Sequence, residues 1–134
     1  MRNDNTINIL QKALDASLVR NKVIANNIAN VDTPNYKACR VEFEEHLRKA
    51  INGSKMSAKP TNPKHIPIGG ERLERVAPRI IRDKSISTRL DGNSVNIDVE
   101  TAKLANNTIL YQALVDQLSA KLARIRTVIN EGRR

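Results

Sequence analysis

The sequence predicts a mainly α fold. Two long amphipathic helices at the N- and C-terminal ends form an antiparallel coiled-coil-like pair. A long irregular, partly disordered insert with one short helix and a little β joins them. Three observations lead there. Apolar residues recur in steps of three and four at both ends. Four of the five prolines and four of the five glycines fall between them. Only Tyr36, Phe43 and Tyr111 are aromatic, with no Trp. A chain so poor in aromatics buries area through Leu, Ile, Val and Ala, which helix packing does well.

The N-terminal element is a helix over 6–31. Ile7, Leu10, Leu14, Ser17, Asn21, Ile24, Ile28 and Val31 form an a/d seam with two polar positions in its middle. Leu18 and Ala25 widen the stripe. Thr6 is placed to cap the first turn, and Pro34 stops the helix. About 25 residues at 1.5 Å each make a rod of about 37 Å.

The middle segment reads differently. An amphipathic helix is expected over 41–51, on Phe43, Leu47 and Ile51. Residues 53–70 are polar and broken by Pro and Gly, which fits a segment that is disordered or orders only on binding. Arg79-Ile80-Ile81 and Ser94-Val95 carry β character.

The C-terminal element is a helix over 97–130, about 50 Å long. Leu104, Thr108, Tyr111, Val115, Leu118, Leu122, Ile125 and Ile129 step by three and four. Asp91-Gly92 marks a turn before it, and Asn96 is its N-cap. Asp98 and Glu100 suit the positive end of the helix dipole, and Lys121, Arg124 and Arg126 lie toward the negative end. The chain therefore divides into an N-terminal helix and turn (1–35), a basic insert (36–95) and a C-terminal helix (96–134). A lone two-helix pair leaves much of each stripe uncovered, so neighbouring copies or partners are expected to cover it.

Several classes are excluded. Cys39 is the single cysteine, so there is no internal disulfide framework and no Cys-rich zinc site. His46 and His65 lack metal-protease spacing; His46 is expected on a solvated helix face, and His65 in a Pro-rich loop with no paired nucleophile nearby. Asp91-Gly92-Asn93 lacks the further oxygen ligands of a calcium loop. No catalytic residue, cofactor or metal site is read, and no enzyme. No apolar run is long enough for a membrane span, and the N-terminus lacks the apolar core of a cleaved signal.

The net charge of +9 arises from 23 Lys and Arg against 14 Asp and Glu, and most of the excess lies in the insert. That invites a nucleic-acid-binding reading. Yet the basic residues are interspersed with acidic ones, and no recognition motif accompanies them. A basic helical nucleic-acid-binding or secretion-adaptor module is the alternative, and general surface charge is the plainer explanation.

The most specific segment is Ala25-Asn26-Asn27-Ile28-Ala29-Asn30-Val31-Asp32-Thr33-Pro34-Asn35-Tyr36-Lys37. Three Asn in five residues are poor helix formers. Asn26 and Asn30 share a face, with Asn27 beside them, roughly opposite the Ile24–Ile28 seam. Short amides of this kind suit polar contacts to backbone in a packed assembly. Read as structure alone, the segment is an Asn-rich helix end leading into a turn.

This segment resembles the N-terminal signature of the bacterial flagellar axial proteins, the rod, hook and hook-associated family. Leu90-Asp91-Gly92-Asn93-Ser94-Val95-Asn96-Ile97-Asp98, Ala102-Lys103-Leu104-Ala105-Asn106-Asn107 and Tyr111-Gln112-Ala113-Leu114 resemble its C-terminal half. The short length and Thr61-Asn62-Pro63-Lys64-His65-Ile66-Pro67 are most similar to a proximal rod subunit. Asn35 stands where the family often has Gly, Thr101 where Met is common, and Cys39 is outside the motif.

The resemblance implies a structural subunit of the basal-body rod. It implies export by the flagellar type III apparatus without a cleaved signal, periplasmic location, helical polymerisation through the terminal helices, and torque transmission from motor to hook. Implied partners are other rod proteins and the chain's own copies, with the basal ring and export gate as neighbours; no nucleic acid and no direct membrane span are implied. The expected assembly interface is Leu10, Leu14, Ile24, Asn26, Asn27, Ile28 and Asn30 on the first helix. On the last helix it is Leu104, Tyr111, Val115, Leu118, Leu122 and Ile125. Asp32, Thr33, Pro34, Asn35 and Tyr36 form the expected turn.

Overall fold

The computed structural model describes residues 2–55, 76–83 and 89–132. Within them the order is α1 (Arg2–Ala29), β1 (Cys39–Glu42), α2 (Glu44–Lys55), β2 (Arg79–Arg82) and α3 (Ile97–Glu131). The two long terminal helices pack together, with the short helix and a two-stranded sheet between them in sequence.

α1 starts earlier and ends sooner than the 6–31 expected from sequence. Thr6 is therefore not a cap but an exposed position inside the helix. The end at Ala29 precedes Pro34, so proline does not terminate the helix directly. The backbone first tightens, with N–H of Asn30 donating to the Asn27 carbonyl at 3.1 Å and that of Val31 to Ile28 at 3.2 Å. Such i to i−3 bonds close a last helical turn.

β1 and β2 pair antiparallel, Cys39 opposite Arg82 and Glu42 opposite Arg79. The Arg79-Ile80-Ile81 expectation holds. Ser94-Val95 forms no strand; the Ser94 N–H instead donates to the Tyr36 carbonyl at 3.1 Å. The helix expected at 41–51 is shifted to Glu44–Lys55 because Val41 and Glu42 belong to β1. The Phe43 carbonyl accepts the N–H of Leu47 at 2.9 Å, which opens α2, and the helix continues through Gly53. The insert around Thr61–Pro67, His65 included, lies outside the described residues.

The apolar core sits on one side of α1. Ala16, Phe43, Ala50 and Val76 are buried together, with Ala13, Val41 and Leu47 packed on them. Ala13 and Ala16 are three apart, so they share a face, and their small size lets β1 and α2 approach. Full burial of a side chain such as Phe43 contributes ~1.5–3 kcal/mol.

α3 approaches α1 from another side. Asn27 meets Glu100 while Ser17 meets Asn107, so one index falls as the other rises and the pair is antiparallel. Asn96 caps α3 as expected, its Oδ1 accepting the N–H groups of Asp98 and Val99. The last turn carries no basic residue; Lys121, Arg124 and Arg126 lie before it. Among the described residues no helix is long and apolar enough to cross a membrane.

Candidate functional site

The Asn-rich signature forms a corner where α1 ends and the chain returns to α3. Asn93, fully buried, is its hub. Its Nδ2 donates to the carbonyls of Asn30, Val31 and Thr33, each at 2.9 Å. Its Oδ1 accepts the N–H of Val95 at 2.7 Å. Three carbonyls of the turn beyond α1 are thus held by a side chain some sixty residues away.

The turn has two left-handed residues in contact. Asn35 has φ 59° and Gly92 φ 73°. Asn is the side-chain-bearing residue that best tolerates this region, so it serves at position 35 without Gly. The N–H of Asn35 donates to the Asp91 carbonyl at 2.9 Å. A Cβ on Gly92 would stand 2.5 Å from the Oδ1 of Asn35, a side-chain atom that can turn away, so it is the positive φ that calls for glycine at position 92.

Asn27 does not lie opposite the apolar seam. It is buried beside Ile24, on the inner side of α1. Its amide brackets the main chain of Cys39, donating to the carbonyl at 2.8 Å and accepting from the N–H at 2.9 Å. It also donates to Glu100 Oε2 at 2.9 Å and accepts from the Tyr36 hydroxyl at 3.3 Å. Every hydrogen-bonding position of the amide is used within the chain. Burial, and next the neighbouring Cys39, raise the Tyr36 phenol above its ordinary value.

Asn26 and Asn30 bond each other. Asn30 Nδ2 donates to the carbonyl and Oδ1 of Asn26, and its Oδ1 accepts from Thr33 at 3.2 Å. They hold the outer side of the corner, with Asn26 exposed and Asn30 half-buried. Asp32, Thr33 and Pro34 are exposed, and Tyr36 is half-buried.

A second polar centre lies two turns further along α3. Asn107 Nδ2 donates to the Ser17 carbonyl at 2.9 Å and to Asn21 Oδ1 at 2.8 Å. Its Oδ1 accepts from the Ser17 hydroxyl at 3.2 Å and from Arg20 at 3.4 Å. Arg20 also pairs with Glu44 at 2.5 Å, which links α1 to the start of α2. Burial raises the Glu44 pKa, but the Arg20 hydrogen bond, backbone N–H groups and the Arg20 charge together bring it below the ordinary value. Exposed Glu45 is lowered chiefly by the hydrogen bond from Lys49.

The apolar positions expected at an interface divide. Ile24 is buried inside the chain. Leu10, Leu14, Ile28, Leu104, Tyr111, Val115, Leu118 and Ile125 are half-covered, and Leu122 is exposed. Sequence reasoning missed Asn93, Asn107 and Glu100 as structural centres. The two polar positions in the first seam, Ser17 and Asn21, were the available signal for Asn107. Glu100, read as a dipole partner, is a buried ligand of Asn27 and also pairs with Lys103 at 2.6 Å.

An open groove of about 380 Å³ runs between α1, β1 and α3, with Val23, Ile24, Val41 and Leu110 among its walls. Arg20 and Lys103 at this groove already face Glu44 and Glu100. Among the described residues no group of three His, Cys, Asp or Glu is placed to hold a metal.

The sequence that builds this corner is similar to that of known proteins. The family profile described as flagella basal body rod protein matches residues 7–37, which are most of α1 and its turn. The class is thus that of flagellar rod proteins. The chain is 37% identical to the flagellar basal body rod protein FlgB of Bacillus subtilis (strain 168), over 96% of this chain and 95% of that one. It is 33% identical to the FlgB of Proteus mirabilis (strain HI4320) and 29% to that of Escherichia coli (strain K12), each over 96% of both chains. The chain belongs to the FlgB family of flagellar basal body rod proteins.

Proposed function

We propose that the chain is a non-enzymatic structural subunit of the proximal rod of the flagellar basal body. It polymerises through its terminal helices and transmits torque from motor to hook. Its partners are its own copies and other rod proteins, with the basal ring and export gate as neighbours. It reaches the periplasm through the flagellar type III apparatus.

One observation carries this reading beyond family membership. Ile97, Val99, Ile109, Leu110, Leu122, Val128 and Ile129 of α3 are large, apolar and exposed. Ile129 is 65% exposed. Ile97, Leu122 and Ile129 fall on one stripe of α3, within about 40° at 100° per residue, whereas Val99, Ile109, Leu110 and Val128 lie on other sides. Singly exposed apolar residues are ordinary, and it is the continuous stripe that marks a surface another protein covers. Half-covered Tyr111, Val115, Leu118 and Ile125 extend it. Contacts of this kind between unlike patches build an open helical array when the rotation from one copy to the next does not close.

The test is Leu118→Asp in a strain lacking the native gene. Rod yield falls to background in purified basal bodies while the exported amount of the chain is unchanged. A normal rod yield overturns the proposal.

A further inference from the structure

We infer that Glu100 and Asn107 are the residues that determine the register of α3 against α1. They are the two buried residues among the described side chains of this 35-residue helix, and both are polar. They stand seven residues apart, on one face and two turns from each other.

The apolar seams do not choose the register by themselves. Both helices repeat in steps of three and four, so a slip of seven residues again sets apolar positions opposite apolar positions. The polar centres break that degeneracy. In the observed register Asn107 meets Ser17 and Asn21, the polar interruption of the first seam, and all its hydrogen-bonding positions are filled. A slip of seven residues in one direction seats it against Leu10 and Leu14. A slip in the other seats it against Ile24 and Ile28. Either leaves a buried amide without partners. Glu100 would likewise leave Asn27, whose bracket on Cys39 fixes where β1 starts. A single buried amide that selects one pairing among apolar alternatives is the best-attested use of polar groups in helix seams.

The competing determinant is the Asn93 corner, which also ties the two halves. The experiment separates them. In the full chain with Cys39→Ser, spin labels are attached at exposed Lys22→Cys and Gln117→Cys, and their separation is measured by pulsed dipolar spectroscopy. The parent gives one distance. Glu100→Leu with Asn107→Leu adds a second population displaced by about 10 Å, seven residues at 1.5 Å each. Asn93→Ala keeps the parent distance. A residue that only stabilises the pair lowers the melting temperature and leaves one distance. Retention of the single distance in the double variant, or its splitting in Asn93→Ala, overturns the inference. Should the double variant not fold, Ser17→Leu, Asn21→Leu and Asn107→Leu together restore an all-apolar layer. That variant splits the distance if the inference holds and keeps it single if not.

Discussion

Asn27 of α1 holds Glu100 of α3 by a hydrogen bond of 2.9 Å across 73 positions of sequence. The same amide brackets Cys39 at the start of β1. One short side chain therefore sets three elements against each other. Asn27→Ala takes one partner from Glu100, which keeps Lys103, and takes the amide from the Cys39 backbone. We expect a loss of about 2–3 kcal/mol in chemical unfolding, from the ~1–3 kcal/mol cost of each buried group left unpaired. Asn26→Ala, which removes only surface bonds, stays within ~0.5 kcal/mol of the parent.

Gly92 and Asn35 interlock at the corner. Gly92→Ala forces a side chain into the left-handed region and against Asn35 Oδ1. The expected loss is ~1–2 kcal/mol, read from thermal melts. Asn35→Gly keeps the corner and leaves the melting temperature within a few degrees of the parent, whereas Asn35→Val lowers it by an amount similar to Gly92→Ala.

The Arg20–Glu44 pair predicts an acid limb. The folded pKa of Glu44 lies below its ordinary 4.5. The folded state therefore binds fewer protons than the unfolded one, and the pair's contribution is present above the ordinary value. It is lost as pH falls through the lowered folded value. Melting temperatures followed downward from pH 6 drop less steeply in Glu44→Gln than in the parent. The effect is modest because the Glu44 side chain is 65% exposed and solvent screens it. Glu45→Gln, which removes the exposed Lys49 pair, flattens the limb in the same direction, because the Lys49 hydrogen bond lowers Glu45 as well.

The exposed face of α3 predicts concentration dependence. Far-ultraviolet circular dichroism and sedimentation of the purified chain should show helix content rising as it self-associates or meets another rod protein. Leu122→Asp with Ile129→Asp removes that rise without lowering the helicity of the dilute chain, since both side chains are exposed. A helix content independent of concentration in the parent contradicts the assembly reading.

The sequence by itself determined the two terminal helices, the Asn96 cap, the Asp91-Gly92 turn and the family. Each rests on local chemistry: a period of three and four, an amide that can accept from the first N–H groups, or a motif along one stretch of chain. It also showed that the seam of α1 is interrupted at Ser17 and Asn21. What it did not show is the partner of that interruption, because Asn107 stands between Leu104 and Tyr111 where the periodic reading takes Thr108, and its role exists only once the helices are antiparallel. The tertiary structure likewise decided that α1 ends at Ala29, where Asn93 collects the carbonyls beyond it, and that Val41 extends into a strand rather than a helix. Local pattern alone puts Asn27 on the outer side of α1 and Glu100 at a helix dipole. Both are buried, because a polar side chain with all its bonds satisfied by distant groups can be packed inside, and no local pattern announces those groups.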